Sequence, residues 1–365
     1  MRTNVICLFL LVAGTSCSAQ GQGGAVLSFR GTSDASAAVA VRDDLFVVAD
    51  DENNTLRIYR WSQPGMPVSS FDLTAFLKAD PERPEADIEG AARIGDRIYW
   101  ITSHGRNSDG KLRPTRYRLF ATEIRTQADR ASIVPVGRPY ADLARRLVAE
   151  PALASLGLDR AVRIDDDKKL SKKEREQLAP KARGLNIEGL AAAPDAKTLY
   201  IGLRNPTAAE PTTGSARAIM IPLLNGADVV ESGSRPRFAA PLLWDLAGLG
   251  IRSMEYSLRH KAYFIVAGRR DEGGRFALYR WSGREDEQPI RVRELELAAD
   301  FTPEALFFFA DGERACLLSD DGTIPVQVSG PAECLPGEML DDGFCPNKFL
   351  VNPERKCCRA VEILP

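Results

Sequence analysis

Five stretches of this chain repeat one pattern: Asp34–Asp51, Asp87–His104, Asn186–Asn205, Arg252–Gly268 and Thr302–Asp321. Each runs from a polar residue through Ser or Glu and small or apolar residues to a turn. An apolar strand follows, such as Leu45–Val48 or Ile98–Ile101. Self-similarity at such spacing marks a repeat architecture, and a fixed register says which side chains share one environment. Ten residues separate Ser36 from Phe46, Glu89 from Tyr99 and Ser253 from Tyr263; with a longer turn, twelve separate Glu188 from Tyr200 and Glu304 from Cys316. The equivalent position therefore reads Ser36, Glu89, Glu188, Ser253, Glu304, with Glu255 replacing Ser253 if the fourth turn is shorter.

Two further strand-like runs follow each of the first four hairpins: Leu56–Trp61 and Val68–Leu73, then Arg116–Ile124 and Ser132–Val136, then Ala216–Leu224 and Leu242–Leu246, then Arg275–Trp281 and Ile290–Leu297. Four short antiparallel strands per radially repeated unit describe an all-β chain, a β-propeller of five four-stranded blades. The fifth repeat shows only a third strand, Ile324–Val328, and Ala25–Arg30 supplies the outer one. Closing the ring in this way removes exposed sheet edges. The expected organisation is a propeller over 25–330, a helical insertion at about 139–182 and a disulfide-stapled tail over 331–365. Leu143, Leu147 and Val148 follow helical spacing in the insertion, and Ser171 with Glu174 makes a capping box. A sixth or seventh degenerate blade within 125–185 is the competing arrangement.

Arg2, the apolar run Val5–Ala13 and small residues up to Ala19 read as a signal peptide (1–19), so the protein is expected to be periplasmic or secreted. Gly14 stands three residues before Cys17, where lipoprotein signals favour Leu, which argues against a lipid anchor at Cys17. No later apolar stretch is long enough for a transmembrane segment. The 48 basic and 50 acidic residues are interleaved, without the clustered basic face that nucleic acid requires, and the Lys168–Lys173 run reads as a solvated helix face. Without Cys7 and Cys17, five cysteines remain, four of them between Cys334 and Cys358. Two disulfides are expected there. Adjacent Cys357 and Cys358 do not pair with each other, which leaves two connectivities with Cys334 and Cys345; Cys316, in a strand, is the odd thiol. The tail has no His and lacks zinc-finger spacing.

The segments Asp87-Ile88-Glu89-Gly90, Tyr99–Lys111 with Arg113-Pro114, and Asn186-Ile187-Glu188-Gly189 resemble a family of secreted bacterial proteins, domain of unknown function 3616. The resemblance covers about residues 30–330, and that family is similar in turn to the esterase-like phytase propellers. It implies a propeller and brings no established activity, and the tail lies outside it.

The start of an innermost strand and the end of the second strand share one face of a blade. This places Ser36, Glu89, Glu188, Ser253 and Glu304 around the channel mouth, joined by Asp50, Asp51, Ser103, His104, Arg204, Asn205, Asp320 and Asp321. Arg106, Arg269 and Arg270 follow closely. Converging carboxylates must be protonated, paired with arginine or neutralised by a cation. Oxygen-only donors suit Ca²⁺, and the ring is similar in arrangement to the channel of five-bladed calcium-dependent apyrases. In the rival reading the glutamates bond backbone amides or pair with Arg106, Arg204 or Arg252. Asp34, Asp87 and Asn186, two residues before the ring, with Asn205, Glu255 and Asp320, are secondary candidates.

His104 is a candidate general base, with Arg106, Arg204 and Arg269 holding an anionic group. His260 falls on the opposite face, and no Gly-x-Ser-x-Gly elbow or phosphate loop is present. Two functions follow. One is a calcium-dependent hydrolase of an anionic (phospho)ester. The other is a non-catalytic propeller that binds a glycan or envelope protein, with structural calcium or none. The expected partner is an anionic small molecule or an envelope polymer, and the sequence sets no oligomeric state. An enzyme would leave His104, Arg106 and Arg204 open to a pocket beside the ion, whereas a binding module would bury those charges in pairs and offer aromatic residues at the rim; few aromatics map to this face, which favours the enzyme.

Overall fold

Apolar runs such as Leu45–Asp50 and Ala262–Gly268 are buried on both faces, a pattern that requires neighbours above and below each sheet. The computed structural model, described over residues 25–365 except 128–129, 211, 272–273 and 311, supplies them as five radially packed antiparallel sheets. Blade one comprises Ala35–Arg42, Leu45–Asp50, Thr55–Arg60 and Ser69–Asp72. Blade two comprises Ile88–Ile94, Arg97–Thr102, Leu119–Gln127 and Arg130–Tyr140. Blade three is built from Asn186–Ala192, Leu199–Asn205, Ala216–Leu223 and Leu242–Trp244, with a short extra strand, Ala208–Ala209. Blade four runs Gly250–Ser257, Ala262–Gly268, Phe276–Trp281 and Ile290–Glu294. Each innermost strand packs on that of the next blade, and Pro303–Phe307 of blade five packs back on Ala35–Arg42. The contact is close: a Cβ on Gly90 would lie 3.0 Å from Leu190 Cβ, and one on Gly189 2.7 Å from Ile251.

Blade five closes differently from the expectation. Its third strand is Cys357–Ile363 rather than Ile324–Val328, and Leu27–Arg30 lies outside it, with Leu27 opposite Ala360 and Arg30 opposite Cys357. Cys357–Ile363 offers seven residues with Cys358, Ala360, Val361 and Ile363 buried. Pro325 interrupts the donor ladder of the rival segment, and Pro325–Gln327 pairs instead with Phe344–Pro346 in a small separate hairpin. The chain beyond residue 331 therefore contributes an integral propeller strand. The disulfide is Cys334–Cys345, outside both expected connectivities. Cys357 and Cys358 are free thiols because the blade strand carries them away from the hairpin, and Cys316 is a buried free thiol as expected.

The insertion is helical, with Leu143–Ala149, Leu158–Val162 and Lys172–Glu176 joined by 3-10 turns, and Ser171 and Glu174 form the expected capping box. A further helix, Gly226–Ser232, precedes the outer strand of blade three. No described helix is long and apolar enough to cross a membrane. The expected signal peptide and Cys17 lie outside the described residues.

An aromatic seam joins blades one and five: the Phe46 and Phe307 rings stack 5.0 Å apart, and Phe29 meets Phe46 edge-on at 5.1 Å. Ending the chain after Lys356 removes the third strand of blade five and leaves Phe29 and Leu27–Arg30 without a partner strand. The shortened protein is expected to lose its cooperative thermal transition by circular dichroism.

Candidate cation site at the channel mouth

Every innermost strand carries a β-bulge near its start. The pairing skips one residue between Ala35 and Ala37, Ile88 and Gly90, Ile187 and Gly189, Ile251 and Ser253, and Pro303 and Ala305. A bulge re-aims one side chain out of the alternation, and here the re-aimed residues are Ser36, Glu89, Glu188, Arg252 and Glu304. The fourth member is thus Arg252, not Ser253 or Glu255. Arg252 precedes Phe264, its register equivalent of Tyr99 and Tyr200, by twelve residues, as in blades three and five. Counting back from Tyr263 assumed a turn shorter than the real one, 258–261. Both expected serines leave the ligand set. Ser36 Oγ donates to Ile88 O, and Ser253 Oγ accepts from Leu306 N at 3.1 Å, so each stitches neighbouring innermost strands.

One side of the mouth is charge-paired. Glu188 Oε1 accepts from Arg204 Nη1 at 2.8 Å and from Asn186 Nδ2 at 2.8 Å. Arg252 Nε lies 3.0 Å from Glu188 Oε2 without hydrogen-bond alignment, and Arg252 Nη2 pairs with Glu304. Two of the three ring glutamates therefore have arginine partners, as the rival reading expected.

The other side is acidic. Glu89 is 9% exposed and has no ion pair with any described residue. Its carboxylate converges with those of Asp51 and Asp87, one oxygen from each lying within 4.8 Å of the others; Asp51 also joins Asp34 and Glu52 in a second such group. Asp51 Oδ1 is buried without a hydrogen-bond partner. Burial, then the charges of Glu188 and Asp87, push the Glu89 carboxyl well above its usual range. Burial, then Asp34 and Asp320, do the same to Asp51, and burial, then Asp320 and Asp50, push Asp34 up to about 9. The neutralising groups stand at the margin: Arg116 Nη1 is 2.9 Å from Asp87, Arg116 Nη2 pairs with Glu85, and Lys348 Nζ, from the tail, is 2.6 Å from Glu52. Calcium–oxygen distances of about 2.3–2.6 Å place ligand oxygens on opposite sides of the ion about 5 Å apart, the scale of this cluster. Asp34 bridges to Asp320 across blades one and five, and Gly322 leaves room for it, since a Cβ there would fall 1.6 Å from Asp34 Oδ1.

Of the expected metal ligands, the structure keeps Glu89 in the acidic cluster and promotes Asp87 from secondary candidate. It adds Asp51 and Glu52, whose signal was the tandem Asp50-Asp51 at a strand end. Asp50 turns away, accepting from Thr32 and from Ser33, Glu52 and Asn53.

The expected catalytic set does not assemble. His104 is 1% exposed, with Nδ1 2.8 Å from Thr102 O and its ring against Tyr117; burial lowers its pKa to about 4 and leaves Nε2 without a partner. Arg106 is 2% exposed, holds the insertion through Asp167 and Arg163 O, and braces its own loop through Gly110 O. Arg204 is committed to Glu188, and Arg269 is exposed and bound by Asp271 at 2.7 and 2.8 Å. Asn205 Nδ2 donates to Pro180 O and Arg270 O, tying the insertion to blade four.

A family model matches residues 34–302. The chain belongs to the family of proteins of unknown function DUF3616. No curated protein matches it. Among solved structures it is similar to a putative oxidoreductase (glucose dehydrogenase) from Thermus thermophilus, at 15% identity and TM-score 0.43, covering 93% of this chain and 100% of that one. It is also similar to glutaminyl cyclase from Myxococcus xanthus, at 10% identity and TM-score 0.38 over 81% and 89% of the two chains. The β-propeller domain of Cps50 (Swd1) from Myceliophteria thermophila matches at 10% identity and TM-score 0.36 over 81% and 96%. No residue role is carried over from these structures.

Removing one partner of a buried ion pair leaves the other charge uncompensated, so Arg252→Met is expected to lower stability by about 3–5 kcal/mol in denaturant unfolding. Glu255, which faces Phe264 in the register, is raised by burial from the usual 4.5 to about 8, with Arg93 opposing. A raised carboxyl pKa stabilises the fold fully below about pH 4.5, and that contribution is lost as pH rises towards 8. Glu255→Gln should therefore raise the melting temperature at pH 8.5 more than at pH 5, flattening the profile between them.

Proposed function

We propose that this protein is a non-catalytic, calcium-binding propeller of the cell envelope, whose mouth holds the cation on Asp51, Asp87 and Glu89 and presents it to an anionic glycan. One observation carries the reading: Glu89 is buried without an ion pair among the described residues, while Glu188 and Glu304 in the same ring are arginine-paired. A buried carboxylate in that position needs a proton or a cation. Its neighbours supply hard oxygen donors of the kind calcium takes, in a coordination shell of six to eight that leaves room for water and for a partner's oxygen. The non-catalytic part rests on His104, Arg106 and Arg204, whose burial in structural contacts withdraws these three from acting as general base or anion holders beside the cluster. The disulfide Cys334–Cys345 suits an oxidising compartment.

The test is calorimetric titration of calcium, with thermal melts alongside. Wild type should bind calcium and gain about 2.7 kcal/mol at a hundred times the dissociation constant. Asp51→Asn with Glu89→Gln should abolish both effects, and Glu255→Gln, outside the cluster, should keep them. A folded wild type that ignores calcium would overturn the cation site. Hydrolysis of p-nitrophenyl phosphate that is stimulated by calcium and lost in the Asp51/Glu89 variant would overturn the non-catalytic reading and restore a hydrolase.

A further inference from the structure

The helical insertion packs its apolar side against blades two and three and borders a cavity on its other side. This cavity of about 470 Å³ opens between the insertion, the end of the second strand of blade three and Arg270 of blade four. Four arginines are among the residues that line it, Arg160, Arg163, Arg183 and Arg270, with one acidic residue, Glu174. That carboxylate is already committed to Ser171 in the capping box and lies 3.5 Å from Arg163. Arg270 donates to a neutral group, Thr207 Oγ1, at 2.9 Å. Arg160 and Arg183 have no anionic partner among the described residues. The adjacent cavity of about 450 Å³ on the same insertion makes the contrast, because there Arg145 is paired with Asp142 and Asp165.

Arg160, Arg183 and Arg270 are exposed around the cavity, and a concave surface with an excess of positive charge draws anions towards it. The walls are fixed rather than loose. Asn205 ties Pro180 of the insertion to Arg270, and Arg163 is anchored through its carbonyl to buried Arg106. The wall is also partly apolar, with buried Leu156, Ala161 and Leu178 among the lining residues. Planar guanidinium forks match phosphoryl oxygens two at a time, and a cavity of this volume suits a small molecule rather than a polymer. We infer that the pocket binds a phosphate monoester with an apolar organic part, the arginines holding the phosphoryl group and the Leu156–Leu178 side taking the body.

The experiment is calorimetric titration of phenyl phosphate, inorganic phosphate and phenol into the whole protein in calcium-free buffer. Its failure is thus separate from failure of the cation site. Phenyl phosphate should bind saturably, about tenfold or more tighter than inorganic phosphate, while phenol gives no saturable heat. Arg160→Ala with Arg183→Ala, both exposed positions, should weaken phenyl phosphate about tenfold or more with an unchanged melting temperature. Arg269→Ala, an exposed arginine outside the cavity, should leave binding intact. No saturable binding of phenyl phosphate by folded wild type, or equal binding by the double variant, would overturn the assignment.

Discussion

One extra residue in each innermost strand governs this molecule. Five strands converge on an axis where the backbone leaves little room, and each bulge turns one side chain into that space. Charges at these positions act on one another across the axis, so they must be settled collectively. Blade four answers with Arg252, which lies between Glu188 and Glu304 and joins three blades through one guanidinium. Blade one contributes Ser36, which adds no charge and spends its hydroxyl on the neighbouring strand. Glu89 alone is left facing the acidic ends of blade one, and the asymmetry of the mouth follows from that distribution.

The segments outside the repeats act on the same face. The tail hairpin brings Lys348 against Glu52, and the insertion is fastened by Arg106 and Asn205. Residues that look like reagents in a linear reading are fasteners in the fold. His104 and Arg106 follow directly on a second strand, and the chain there dives under the insertion instead of lining the channel.

The blade plan and the face of interest were legible because strand periodicity and repeat spacing are local properties. Glu89, Glu188 and Glu304 were placed from spacing alone, and so was the position of Ser36. Arg252 was missed by one residue because its turn is longer than that of the repeats it was counted against, and turn length leaves no periodic trace. Asp50 and Asp51 were both placed on this face, but tandem acids at a strand end do not announce which of them turns inward. The third strand of blade five was misassigned because Ile324–Val328 comes next in sequence order, whereas Cys357–Ile363 lies in the stretch read as a stapled tail. The cysteine pairing failed for the same reason: Cys357 and Cys358 belong to the blade, which no spacing between cysteines reveals. Side-chain depth, which separates a buried histidine from a reactive one, is likewise a property of neighbours distant in sequence.

Blade five is assembled from both ends of the chain, with Leu27 opposite Ala360. More than three hundred residues lie between these partners, so the final sheet cannot form until the last strand exists. Contacts this distant in sequence form slowly, because loop-closure entropy is lost before any pairing compensates for it. Until Cys357–Ile363 is paired on both sides, the ring is an open arc with exposed strand edges.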